Sequence, residues 1–198
     1  MCAREGLAPL SVRWLTIITG GALTACVVGA ADDILDLSPG QKLLGQILAA
    51  TFLVLAGIHP HIQWFGQFGP KGADDLLNMA MVYVLVLGAT NSLNLLDGLD
   101  GLCAGVTGIM AAGLLLLSLC WATWGVDAVG DSVRLILCLA LLGGVLGFLP
   151  FNRHPARIFM GDAGSLLLGF CLAVMIILLA QSAQGCLVAI MMFGLPLL

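Results

Sequence analysis

The sequence predicts an all-α fold, a polytopic transmembrane helix bundle of about six to seven spans. Three observations carry that expectation. Hydrophobic residues make up 61% of the 198 and charged residues only 9%, with a mean hydropathy of +1.11, so this chain needs lipid rather than water as its solvent. The apolar residues come in runs long enough to cross a bilayer, which takes about 20 helical residues. The polar residues gather at the ends of those runs. The net charge of −4 includes no basic cluster, which excludes nucleic-acid binding. Seven scattered cysteines, mostly inside apolar runs, behave as small hydrophobes and form neither a zinc spacing nor a disulfide framework. The whole chain, 1–198, reads as a single membrane-embedded domain.

In chain order, the first span runs from Trp14 to about Ala31. Leu23-Thr-Ala-Cys26 has the form of a lipoprotein cleavage box, but the apolar run continues past it and more spans follow, so we read it as part of the span. The span ends in Asp32-Asp33-Ile-Leu-Asp36-Leu-Ser-Pro39-Gly. Three crowded acids repel one another, and a cation would relieve that repulsion, while Ser38-Pro39-Gly40 is turn chemistry. Gln41 to Ile58 is the second span. The following loop holds His59-Pro-His61 and the interfacial aromatics Trp64, Phe65 and Phe68, which fit membrane anchoring better than metal binding.

Leu76 to Leu93 is the third span and leads into Asn91-Ser-Leu-Asn94-Leu-Leu-Asp97-Gly-Leu-Asp100-Gly-Leu102. Polar residues every three positions drift only ~60° per step on a helix and would share one broad face. Four oxygen-rich side chains beside an apolar span suit hard cations, phosphates or sugar hydroxyls. The fourth span is Leu102 to Trp121 and the fifth Val133 to Leu149, with Gly101/Gly105 and Gly143/Gly147 spaced for close helix contact. Between the fifth and the sixth, Leu166 to Gln181, lies Asn152-Arg153-His154-Pro-Ala-Arg157-Ile-Phe-Met-Gly161-Asp162-Ala-Gly164-Ser165. Its arginines can pair with anionic oxygens, and its glycines let backbone approach a ligand. Cys186 to Leu198 begins a seventh span.

Counting crossings puts all three polar clusters on one membrane face, at the ends of the first, third and fifth spans. His59 and His61 fall on the other. Lysine and arginine bias does not name the cytoplasmic side, because the basic residues divide between both faces.

At Asp32-Asp33-Ile-Leu-Asp36-Leu-Ser-Pro, Asn91 to Leu102, and His154-Pro-Ala-Arg157-Ile-Phe-Met-Gly161-Asp162-Ala-Gly164-Ser, the chain resembles the polyprenyl-phosphate N-acetylhexosamine-1-phosphate transferases, glycosyltransferase family 4. The resemblance runs from about Gly21 to Gly169, and His154-Pro-Ala-Arg157 looks more like the N-acetylglucosamine members than the muramyl-pentapeptide branch. It implies transfer of a sugar-1-phosphate from a UDP-N-acetylhexosamine to undecaprenyl phosphate, releasing UMP, with Mg²⁺ or alternatively Mn²⁺ as cofactor. It implies a multi-pass protein of the bacterial plasma membrane with its site facing the cytoplasm, and a homodimer is compatible with it. By the same resemblance Asp32, Asp33 and Asp97 are the catalytic residues, and Asp32 and Asp33 handle the lipid phosphate. Asn91, Asn94, Asp100, Asn152 and Arg157 bind substrate, and Asp162 with Asn94 binds the metal.

Family members have ten or eleven spans, so the resemblance also implies a fragment, truncated at both ends. The alternatives are an inactive relative, a membrane assembly subunit, a prenyl-diphosphate enzyme using Asp32-Asp33-x-x-Asp36, or an ion-coupled transporter. The prenyl-diphosphate reading lacks a second aspartate-rich motif of the same kind. The transporter reading requires internal repeats and mid-membrane acids, whereas the acids here sit at span ends.

Overall fold

A computed structural model describes residues 7–62, 72–124 and 128–180. These form six helices: α1 Leu7–Leu35, α2 Pro39–Leu55, α3 Ala73–Leu96, α4 Leu102–Trp124, α5 Ala128–Asn152 and α6 Gly161–Leu179. No strand occurs among the described residues. The expected seventh span and the aromatic loop lie outside the described residues. Among the described residues five helices are long and apolar enough to cross a membrane, and the 17-residue α2 reaches about 25 Å at 1.5 Å per residue. Many of the bundle's large apolar side chains point outward, among them Leu23, Leu48, Val84, Ile109 and Leu139, as expected where lipid is the solvent.

α2 starts where the turn chemistry places it. Pro39 occupies the first turn, where its missing N–H costs nothing, and the Gln41 side chain accepts the Ser38 N–H at 2.9 Å. The hairpin back from α1 takes three residues, with Asp36 in the left-handed region at φ 48°. α2 therefore runs antiparallel to α1, and α3 returns antiparallel to α2.

The bundle is built around α6. From Leu166 onward this helix is apolar on every side, and Leu172 through Leu179 are all buried. It packs chiefly on α1 and α3. Close approach to α1 follows a stripe of small residues one turn apart: Gly21, Ala25 and Gly29. A Cβ on Gly21 would stand 2.5 Å from the Phe170 ring, and one on Gly29 would stand 2.3 Å from the Asp162 carbonyl oxygen. Gly169 lets α6 meet the α3 backbone at Thr90, where a Cβ would be 2.5 Å from Cα. The glycine pairs singled out in sequence do not do this. A Cβ on Gly105, Gly143 or Gly147 meets nothing within 4 Å, and Gly101 is instead needed for a turn at φ 75°. Spacing alone cannot tell a lipid-facing stripe from a packed one.

The crossing count holds in three dimensions. Asn78, at the start of α3, donates to the Ile62 carbonyl near His59 and His61, at the end of the bundle remote from Asp32. Arg134, early in α5, donates to the carbonyl of Leu178 late in α6. At the other end the termini of α1, α3, α5 and the start of α6 converge.

Candidate active site

Four elements supply the polar centre. Lys42, in the first turns of α2, extends its ammonium between α1, α3 and α6. It donates to Asp32 Oδ2 at 2.7 Å, to Asn94 Oδ1 at 3.2 Å and to Asp162 Oδ2. Asn94 Nδ2 donates to the other Asp162 oxygen at 2.7 Å and to Ser165 Oγ at 3.0 Å. Asp32 Oδ1 accepts the Leu37 N–H at 3.0 Å, which closes the turn between α1 and α2. Lys42 and Ser165 were not among the residues singled out in sequence. The signal was present: a lysine and a glutamine four apart, Lys42 and Gln46, open an otherwise apolar span directly after the Ser-Pro-Gly turn.

Asp33 makes a different contact. Its carboxylate accepts the Asp162 N–H at 2.8 Å and the Ala163 N–H at 3.1 Å, capping the first turn of α6 from a neighbouring helix. A helix N-terminus presents unpaired N–H groups and partial positive charge, so a carboxylate there is stabilised twice over. Gly161 makes room for it, with φ 68° and a would-be Cβ only 2.8 Å from Asp33 Oδ2. Both Asp33 oxygens are therefore engaged with backbone in this structure, while the role implied for it was with the lipid phosphate.

α3 ends at Leu96, so the three-residue period does not carry all four polar residues onto one face. Asp97 becomes the C-cap of the helix, and the turn that follows carries Gly101 at φ 75°. Asn91 faces α2 and forms a reciprocal amide pair with buried Gln46, at 2.9 and 3.3 Å. Its side chain serves helix contact here, where substrate binding was expected. Asp97 is half-buried beside Asp162 and Asp33. Burial first, and the Asp162 charge second, push its carboxyl up to about 6 despite a backbone hydrogen bond from Gly161 that works the other way.

Asp100 and Asn152 brace the connection from α5 to α6. Asp100 Oδ2 accepts the Ala156 N–H at 3.1 Å and pairs with His154 Nδ1 at 3.0 Å, and both contacts hold its carboxyl below the ordinary carboxylate range. Asn152 is buried, accepts the Gly101 N–H at 3.2 Å and donates to the Ile158 carbonyl at 3.1 Å. These two expected substrate ligands thus hold a loop in this structure. The loop they hold carries Arg153, His154 and Arg157, which with Pro150 and Pro155 line a polar recess of about 320 Å³. Arg157 remains exposed there, able to meet an anion.

Among the described residues no three His, Cys, Asp or Glu side chains converge as a metal site. The oxygens that do converge, from Asp32, Asn94 and Asp162, are hard donors of the kind Mg²⁺ takes, and at present they surround a cation of the protein's own. The donor chemistry fits a divalent ion.

These features define a membrane-embedded helical protein with an acidic, cation-organised centre and an adjoining basic recess at one face of the bundle. Residues 15–180 match glycosyl transferase family 4, and the chain belongs to that family. It is 43% identical over 148 residues to a phospho-N-acetylmuramoyl-pentapeptide-transferase of Lacticaseibacillus paracasei, covering 72% of this chain and 43% of that one. It is 37% identical over 169 residues to the enzyme of the same name from Enterococcus hirae, covering 78% and 49%. It is 34% identical over 164 residues to a probable undecaprenyl-phosphate N-acetylglucosaminyl 1-phosphate transferase of Bacillus subtilis, covering 83% and 44%. The chain spans somewhat under half the length of these curated relatives.

Proposed function

We propose that the chain carries the catalytic centre of a polyprenyl-phosphate sugar-1-phosphate transferase of bacterial envelope synthesis, facing the cytoplasm. The donor would be a UDP-N-acetylhexosamine and the acceptor undecaprenyl phosphate. The observation that carries this reading is the convergence of Asp32, Lys42, Asn94 and Asp162 from four helices at one end of an apolar bundle. A lipid phosphate anchored in the bilayer can reach such a centre, and a water-borne nucleotide can approach it from the other side.

In the reaction an oxygen of the lipid phosphate attacks the sugar-bearing phosphorus of the donor. The P–O bond to the uridine phosphate breaks, and UMP leaves with that oxygen. Three phosphoryl groups meet, so positioning and charge neutralisation are the main tasks. A Mg²⁺ or Mn²⁺ ion held by Asp162 and Asn94 would supply most of that neutralisation when bound. Lys42 contributes a further positive charge from the neighbouring turn of α2. Arg157, with Arg153, offers bidentate donors to nucleotide phosphate from the recess beside it. Of the two neighbouring aspartates we assign Asp32 to the acceptor phosphate, because it lies in the centre beside Lys42 while Asp33 sits at the start of α6. Asp97, whose carboxyl is pushed up to about 6, is suited to passing a proton to or from a phosphate oxygen.

N-acetylglucosamine-1-phosphate is the transferred group on the strength of His154-Pro-Ala-Arg157. The muramoyl-pentapeptide names of the Lacticaseibacillus and Enterococcus relatives favour a second reading in which the donor sugar carries a peptide. The test is transfer of labelled sugar phosphate to undecaprenyl phosphate in membranes expressing the chain. UDP-N-acetylglucosamine and UDP-N-acetylmuramoyl-pentapeptide are supplied in separate reactions, with Asp162→Asn as control. Labelled lipid from one donor, lost in the control, names the donor. No product from either, with or without flanking genomic sequence restored, overturns the catalytic reading and leaves an assembly role.

A further inference from the structure

We propose that the Lys42 ammonium is an internal counter-cation which a divalent metal displaces, so that metal loading frees the lysine. The inference rests on the reading above that Asp162 and Asn94 receive the metal.

The geometry is that of a filled cation site. An ammonium has three N–H donors and no acceptor, and Lys42 directs all three at oxygens on three different elements: Asp32 Oδ2, Asn94 Oδ1 and Asp162 Oδ2. The charged ends are partly shielded, with the Lys42 side chain 17% exposed, that of Asp32 14% and that of Asp162 28%. Asp33 and Asp97 add negative charge nearby, the latter close enough to Asp162 for its carboxyl to feel that charge. Without Lys42 these helix ends would repel one another.

The two cations compete for the same atoms. Asp162 Oδ1 already accepts from the Asn94 amide nitrogen, so its Oδ2 and the Asn94 carbonyl oxygen are the oxygens directed inward at the ammonium. A metal held by Asp162 and Asn94 needs those same oxygens. A metal–oxygen distance near 2 Å leaves no place for the ammonium on them. Loading therefore pushes the ammonium off Asp162 and Asn94 and leaves it tethered through Asp32 alone, a mobile positive charge beside a freshly bound metal.

The chain has only two lysines, Lys42 and Lys71, which makes the exchange directly readable. The full chain, purified in detergent, is treated briefly with an amine-acylating reagent with and without Mn²⁺. Lys42 labelling is scored by mass spectrometry against Lys71, and Mn²⁺ binding is followed in parallel by electron paramagnetic resonance. The expected result is that Mn²⁺ raises Lys42 labelling several-fold at the concentration where its signal shows binding, with Lys71 unchanged. Lys42→Met should bind Mn²⁺ roughly tenfold more tightly or better. Arg153→Met, which removes a charge at the same end but outside the cluster, should leave affinity nearly unchanged. Mn²⁺ bound with Lys42 still protected would overturn the exchange while leaving the transferase reading intact. Equal tightening by Arg153→Met would also overturn it, since general electrostatics would then suffice. Mn²⁺ bound by neither the native chain nor Lys42→Met would overturn the exchange together with the metal assignment. The labelling is done on the native chain, so it stands even where Lys42→Met fails to fold.

Discussion

Gly29→Ala tests whether the site depends on the close seam between α1 and α6. The added Cβ would stand 2.3 Å from the Asp162 carbonyl oxygen and 2.5 Å from Ala163 Cα, both backbone atoms that cannot swing aside. Ordinary contact lies near 3.5 Å, so the helices must part by about 1 Å at this level. The nearest dependants of that spacing are the Asp33 hydrogen bonds to the Asp162 and Ala163 N–H groups, one turn further along α1. Overpacking of this kind costs about 1–3 kcal/mol. Loss of the cap adds about 1 kcal/mol. At about 2–4 °C per kcal/mol for a chain of this size, the midpoint in detergent should fall by roughly 4–16 °C. Sugar-phosphate transfer should fall more steeply, because a ~1 Å displacement of a reacting centre can cost about a hundredfold. Gly105→Ala and Gly144→Ala are the controls. Their Cβ atoms meet nothing, and each should be neutral or more stable by about 0.5–1 kcal/mol. A Gly29→Ala protein with native midpoint and native transfer would refute the argument. So would controls that fall equally, since glycine itself rather than contact would then be the cause.

Three further outcomes follow from the same geometry. Gln46→Leu removes the α2 partner of Asn91, whose amide keeps its bond to the Leu87 carbonyl, and should lower the midpoint at a cost of about 0.5–1.5 kcal/mol, whereas Gln46→Leu with Asn91→Leu should recover much of it; thermal melts of the two check this. Asp97 is pushed up to about 6, so the folded chain holds its proton more tightly than the unfolded one. Stability then falls as pH rises from about 4 to about 6, and melts of Asp97→Asn across that range should lose this slope. Asp100→Ala removes the acceptor for the Ala156 N–H and for His154, so proteolysis within residues 153–160 should quicken and donor KM rise more than kcat falls.

Much of the fold was legible because a bilayer restricts the choices. Span lengths and the order of polar breaks fix how many times the chain crosses, and the crossing count alone placed Asp32, Asn94 and Asp162 on one face. The individual partners were not legible. Asp33 and Asp32 are neighbours in sequence, yet about 100° of helical rotation separates them, enough to turn one toward α6 backbone and the other toward Lys42. Asn91 and Asn94 are divided in the same way between α2 and α6, although they look equivalent in the motif. Which small residues form a seam was equally hidden, since Gly21-x₃-Ala25-x₃-Gly29 is no more conspicuous than Gly143-x₃-Gly147. The difference is that α6 happens to lie against the first.

The division of labour within the Asp32/Asp33 and Asn91/Asn94 pairs decides how the site is held. One member of each pair ties helices together, and the other faces the centre: Asp33 and Asn91 brace, while Asp32 and Asn94 meet Lys42. Asp100 and Asn152 extend the bracing to the loop that presents Arg157. A centre made of like charges opens by repulsion unless its supports are neutralised independently of any ligand. The supports here achieve that with a helix N-terminus, an amide pair and backbone N–H groups, none of which a phosphate or metal must displace. That arrangement leaves the Lys42 ammonium, which is held by side-chain oxygens of the centre itself, as the group that responds to what binds.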